Sequence, residues 1–173
     1  MTATILRDGE LAADDWTLVE DGSSDVGAPP RSGKAIVTLA RWRSEREVLA
    51  ATHAGVGVLI PNATDIEATY PEVRDRPLIA LQFPVFTDGR ALSQAVVLRK
   101  RLGFSGELRA VGDVIRDLVF WLGRCGFDSI VPRADQSLGA CRKALREMTV
   151  AYQAAADGHT PIWIRRRGRS AVH

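Results

Sequence analysis

Short apolar runs alternate with amphipathic stretches from residue 34 onward. Ala35-Ile36-Val37-Thr38-Leu39 lies between Gly33 and Arg41 and predicts a strand. GVGVLIP (55–61), LIALQFP (78–84), ELRAVG (107–112) and SIVP (129–132) predict four more. The intervening stretches predict helices over 41–53, 63–70, 88–102 and 113–124, and a last one over 137–153. In the first, Trp42 and Leu49 stand seven apart and share a side. In the third, Leu92, Ala95, Val96 and Leu102 line one side. In the last, Leu138, Cys141, Leu145, Met148 and Tyr152 recur one turn apart.

Strands that alternate with helices of this length pair in parallel through right-handed crossovers. The strands are almost continuously apolar, the pattern of a sheet covered on both faces. The expected fold is therefore α/β: a mostly parallel sheet of about five strands with helices on both faces, either flavodoxin-like or a partial β/α barrel. A complete eightfold barrel needs roughly 250 residues and is excluded. Before this body, residues 2–20 predict a small hairpin, with Ile5-Leu6 ahead of the turn Arg7-Asp8-Gly9 and Trp16-Thr17-Leu18-Val19 after it. Residues 21–33 (DGSSDVGAPPRSG) predict a linker or loop. The chain thus divides into a hairpin and linker (1–33), an α/β domain (34–156) and a basic tail (157–173).

Composition changes this picture little. The chain has 173 residues, 46% hydrophobic and 25% charged, which suits one packed core and excludes a disordered chain, a fibrous repeat or a disulfide scaffold. No apolar run approaches the ~20 residues of a membrane span. The opening MTATILRDGE lacks the basic start and apolar stretch of a secretory signal, so the expectation is a cytoplasmic protein without a membrane partner. The net charge is +2, and Arg165, Arg166, Arg167 and Arg169 against Asp157 give the tail a local +3. No aromatic ladder interleaves these arginines, so nucleic acid is not an expected partner. Cys125 and Cys141 form no C-x-x-C pair, and the three histidines are scattered, so no metal site is expected. Cys125 falls on the apolar side of its helix, as a core residue would.

In a parallel sheet, the loops after the strands' carboxyl ends collect along one edge, where ligands bind. The loop in FPVFTDGR is the richest: Thr87 or Asp88 is placed to cap the following helix, with Arg90 in its first turn. This is either a capped helix after a tight turn or an anion site clamped by Arg90. Arg109 lies inside the fourth strand and needs a carboxylate, for which Asp88 and Asp113 are candidates, and Gln82 is a second polar intruder. Thr87, Asp88, Arg90, Arg109 and Asp113 are therefore the anion-binding candidates.

On the helix that follows, Val114, Ile115, Leu118, Val119, Trp121, Leu122 and Cys125 fill one arc. Asp113, Arg116, Asp117, Phe120 and Arg124 fill the other. The charged arc reads as a solvated face or, with Phe120 as its anchor, as a docking surface formed by Arg116, Asp117, Phe120 and Arg124. There is no G-x-G-x-x-G, no G-x-x-x-x-G-K-[ST] and no G-x-S-x-G. No cofactor is evident. Flavin stays open only because open sheets of this kind can hold FMN.

The run FPVFTDGRALSQAVVLRKRLGFSGELRAVGDVIRDLVFWLGRCGFDS, the opening I-L-R-D-G and the D-x-W at Asp14 to Trp16 resemble a bacterial family of unknown function. Its members are described as oxidoreductases associated with sulfite reduction and tend to be encoded beside the sulfite reductase haemoprotein. The resemblance implies an accessory protein or oxidoreductase of sulfate assimilation, acting at the sulfite step on the haemoprotein or its electron donor. It implies no catalytic residues. The Arg-rich ending departs from the family pattern. From the residues alone, the competing expectation is a small oxyanion- or phosphate-binding enzyme with its site at the sheet's carboxyl edge.

Overall fold

The computed structural model describes residues 3–19, 33–52, 55–148 and 151–169. The expected linker falls almost wholly outside these residues, as does the end of the basic tail. Among these residues, eight strands form one sheet in the order β2-β1-β8-β7-β6-β5-β4-β3. They are β1 (Thr4–Arg7), β2 (Glu10–Ala13), β3 (Trp16–Val19), β4 (Lys34–Thr38), β5 (Gly55–Ile60), β6 (Leu78–Phe83), β7 (Glu107–Gly112) and β8 (Ser129–Ile130). The helices are α1 (Leu39–Thr52), α2 (Ile66–Val73), α3 (Arg90–Lys100), α4 (Arg116–Cys125), α5 (Leu138–Ala144) and α6 (Ile162–Arg169). β3 to β8 run parallel, and β1 lies antiparallel to β8 and β2.

The fold is α/β with a mostly parallel sheet, but the sheet has eight strands rather than about five. β1 and β2 form the hairpin and extend the sheet beyond β8. Trp16–Val19, expected to complete that hairpin, instead pairs with β4 at the opposite edge. The helices are not distributed over both faces. From β4 to β8 the spatial order follows the sequence, so right-handed crossovers carry the connecting helices to the same side. On that side Val37, Val58, Ile79, Leu81, Leu108 and Ala110 join helix residues such as Trp42, Ala95, Leu98 and Leu122 in the main core. On the other face the buried cluster of Trp16, Ile36, Leu78, Ala80 and Val111 comes from strands alone.

The sheet covers that second face by curling. Asp14 and Asp15 alone join β2 to β3, the two outermost strands. Asp15 bonds both Arg7 on β1 and Lys34 on β4, five strand positions apart. A flat sheet would hold those strands about 24 Å apart at ~4.8 Å per strand. Two consequences fix the site. The amino ends of the parallel strands are drawn together and sealed by polar side chains. Their carboxyl ends form an open mouth. Inside, space is tight: a Cβ on Gly57 would lie 2.9 Å from Leu78 Cδ2.

The helix expected over 137–153 is shorter than its apolar period. α5 ends at Ala144, and three-residue bonds from Arg146 to Lys143 (2.9 Å) and Glu147 to Ala144 (3.4 Å) tighten its end. Met148 and Tyr152 belong to the segment beyond it, which turns back across the outer face of α4.

Candidate functional site

At the sealed end, Arg109 is 1% exposed and fully engaged. Its Nη1 donates to both Asp14 carboxylate oxygens at 2.9 Å, and its Nη2 to Glu107 Oε1 at 2.8 Å. Its Nε donates to Glu107 Oε1 at 3.2 Å and Ser129 Oγ at 3.1 Å. Ser129 Oγ donates in turn to Glu107 at 2.6 Å. Arg7, Lys34 and Asp15 complete a ring of three cations and three carboxylates. Hydrogen bonding by Lys34 first, and then by Arg7, draws the Asp15 carboxyl down to about 2. The expected meeting of Arg109 with Asp88 and Asp113 therefore does not occur. Arg109 stands near the amino end of β7, while those aspartates follow the carboxyl ends of β6 and β7. Its partner Asp14 was legible only as the first residue of a D-x-W pattern.

The rim of the mouth carries the other candidates. Thr87 is exposed and caps nothing, since α3 starts after Gly89 without a side-chain cap. Asp88 is gripped by Arg90, whose Nη2 lies 2.6 Å away and whose backbone N–H also donates to it. The side-chain bond from Arg90 is the main reason the Asp88 carboxyl sits well below its ordinary range. Asp113 accepts from the Phe86 N–H at 2.9 Å and from Arg133 at 2.6 Å. Arg133 also chelates Asp135, whose carboxyl it holds down to about 2. Gly112 makes this geometry possible. Its φ is +102°, and an added Cβ would lie 2.4 Å from the Phe83 carbonyl, so only glycine lets β7 close on β6 here. Arg90 and Arg133 therefore hold loops, with their forks directed at carboxylates of this chain.

Below that rim, the mouth holds a cavity of about 640 Å³ lined by Leu18, Thr38, Arg43, Leu59, Gln82 and Val111, among others. Of these, only Gln82 stood out in the sequence. Thr38 lay within the predicted strand 35–39 and Arg43 within the predicted helix 41–53, and neither broke its pattern.

The third feature lies on α4. Its sequence-predicted arcs are only partly right. Val119 and Leu122 are buried, but Trp121, placed on the apolar arc, is 53% exposed. Arg124, placed on the charged arc, is buried, with Nη1 donating to Asp157 at 2.6 Å and Nη2 to the Gln153 carbonyl. The cause is tertiary: residues 151–157 pack over the helix face opposite the core. Arg116 pairs with Asp117 and Glu147. Phe120 is half-buried and stands edge-on to Trp121, with ring centroids 5.3 Å apart. Phe120, Trp121, Cys125, Met148, Ala151 and Tyr152 line an apolar groove of about 520 Å³. Met148 is 50% and Tyr152 73% exposed.

Among the described residues no group of three or more His, Cys, Asp or Glu is placed to hold a metal ion, and no helix is long and apolar enough to cross a membrane. These observations define an α/β protein with a curled, mostly parallel sheet, a mouth at its carboxyl edge and an exposed aromatic groove. The chain belongs to the DUF934 family, bacterial proteins of unknown function, whose model matches residues 57–163. That span runs from β5 through the groove to the start of α6. No curated protein and no solved structure matches the chain.

Proposed function

We propose that this chain is an accessory protein of assimilatory sulfite reduction that docks on the sulfite reductase haemoprotein or its electron donor. The pathway comes from the family resemblance in the motifs around FTDGR, GELRAVGDV and RCGFD. The observation that carries docking is the exposed aromatic groove of Phe120, Trp121, Met148 and Tyr152. Aromatic side chains and Met are enriched at the cores of protein interfaces, and Trp and Tyr dominate binding hot spots. Trp121 joins the expected anchor Phe120, and the charged side chains around them contribute less: Arg124 is buried under the 151–157 segment, and Arg116 is paired with Asp117 and Glu147. The same reading takes the curled sheet as a relative of partial β/α barrels rather than of flavodoxins, because the parallel strands follow one another in sequence order. The alternative, an oxyanion enzyme built on Asp88, Arg90, Arg109 and Asp113, is less favoured because Arg109 stands toward the amino ends of the strands, bound to Asp14 and Glu107, away from the other three at the carboxyl edge.

The test is capture of purified haemoprotein, and separately of its electron donor, by the immobilised chain. Trp121→Ser and Tyr152→Ser are expected to weaken capture by roughly tenfold or more each. Because both side chains are exposed, stability should change by less than about 0.5 kcal/mol. Failure of the wild-type chain to capture either protein overturns the proposal. A strain lacking the gene is expected to lose growth on sulfate, with rescue by sulfide but not by sulfite. Rescue by sulfite would move the protein to an earlier step.

A further inference from the structure

We propose that the mouth of the curled sheet is a binding site for a small amphipathic organic anion, a molecule with a flat or compact apolar body and one acidic group. This site is separate from the α4 groove and goes beyond the docking function.

Three observations carry it. The cavity, about 640 Å³, falls in the range of pockets that enclose small organic ligands, and it opens where the carboxyl ends of β3 to β7 converge. Its walls are mainly apolar: Leu18, Val19, Leu39, Leu59, Pro61 and Val111. Leu18 is 42% exposed there, so a ligand body would remove from water a surface that the protein leaves wet. Such a lining disfavours a bare inorganic oxyanion, which needs several donors to replace its hydration.

The polar groups are few and placed to orient a ligand. Gln82 on β6 lines the cavity, and its amide makes no side-chain hydrogen bond to the described residues, leaving one acceptor and two donors for a ligand. On the α1 side, Thr38 caps the helix by accepting from the Arg41 N–H at 3.1 Å, so the first residues of a 14-residue helix, Leu39 and Ala40, face the cavity at its electropositive end. Arg43 stands beside them. Its Nε and Nη2 grip Glu72 at 2.8 Å each, which fixes the guanidinium and, among the described residues, leaves Nη1 without a hydrogen bond. The acidic group would therefore lie toward α1 and Arg43, with the apolar body on Leu18, Leu59 and Val111 and Gln82 between them.

The experiment uses two fluorescent probes with closely related ring systems: anionic 8-anilinonaphthalene-1-sulfonate and neutral N-phenyl-1-naphthylamine. The full chain, Leu18→Asp, Arg43→Gln and the groove variant Trp121→Ser are titrated with each. Leu18 and Arg43 are both solvent-accessible, and circular dichroism checks that each variant is folded. Leu18→Asp is expected to weaken the sulfonate probe roughly tenfold or more, by placing a like charge in the mouth. Arg43→Gln should weaken it roughly three- to tenfold and leave the neutral probe unchanged. Trp121→Ser should leave the sulfonate affinity as it is. The inference is overturned if the sulfonate probe does not bind, if binding is unchanged in Leu18→Asp, if it is lost in Trp121→Ser, or if Arg43→Gln weakens both probes alike. If Leu18→Asp does not fold, Arg43→Gln decides the question by itself. None of these results bears on capture of the haemoprotein, so the two proposals fail separately.

Discussion

Replacing Arg109 by methionine tests what closes the sheet. Methionine keeps much of the side-chain volume but removes the cation that Asp14, Glu107 and Ser129 share. Asp14 is 11% and Glu107 20% exposed, so two poorly hydrated carboxylates would be left facing each other. Removing one partner of a buried ion pair costs about 3–5 kcal/mol. Arg7 stays within 3.7 Å of Glu107 and 4.0 Å of Asp14, which favours the lower end of that range. The expected loss is about 3 kcal/mol, and at ~2–4 °C per kcal/mol for a chain of this size it lowers Tm by about 6–12 °C. Urea unfolding followed by circular dichroism, with calorimetry for Tm, measures both. The double variant Arg109→Met with Asp14→Leu removes one stranded charge and should recover about 1 kcal/mol or more. A loss under about 1 kcal/mol for the single variant, or strict additivity in the double, would refute the claim that this network fastens the strands' amino ends.

Other outcomes follow from the same geometry. Gly112→Ala should cost at least about 2 kcal/mol in urea unfolding, because it combines a left-handed backbone with a clash against the Phe83 carbonyl. The Asp15 carboxyl, at about 2 in the folded chain, lies below its ordinary value. Its contribution is therefore complete above pH ~4 and lost as pH falls from there to about 2, and Asp15→Asn should flatten that part of the stability curve. Burial raises the thiols of Cys125 and Cys141 above their ordinary value; buried Cys141 should react with a thiol reagent at pH 8 far more slowly in the folded chain than in urea, and Cys125, half-buried at the groove, should react faster than Cys141. Fast labelling of Cys141 in the folded protein would show that α5 does not pack on the core as described.

The alternation of apolar runs and amphipathic stretches determined the five central strands, their parallel pairing and most of the intervening helices, because burial against a neighbouring layer imposes those periods locally. The same sequence also marked Arg109 and Gln82 as polar side chains that needed an explanation. It could not say which carboxylate Arg109 meets, since Asp14 lies 95 positions away along the chain. Nor could it show that Trp16–Val19 crosses to the far edge. The two-residue link through Asp14 and Asp15 acquires meaning only once eight strands are ordered and curled. On α4, the helical period placed Trp121 inside and Arg124 outside. The returning 151–157 segment buries Arg124, while Trp121 stays half-exposed, because a helix face is buried only by what the rest of the chain lays on it. Local pattern sets which surfaces are apolar, and only the closure of the sheet decided which of them pack together and which remain open as a mouth and a groove.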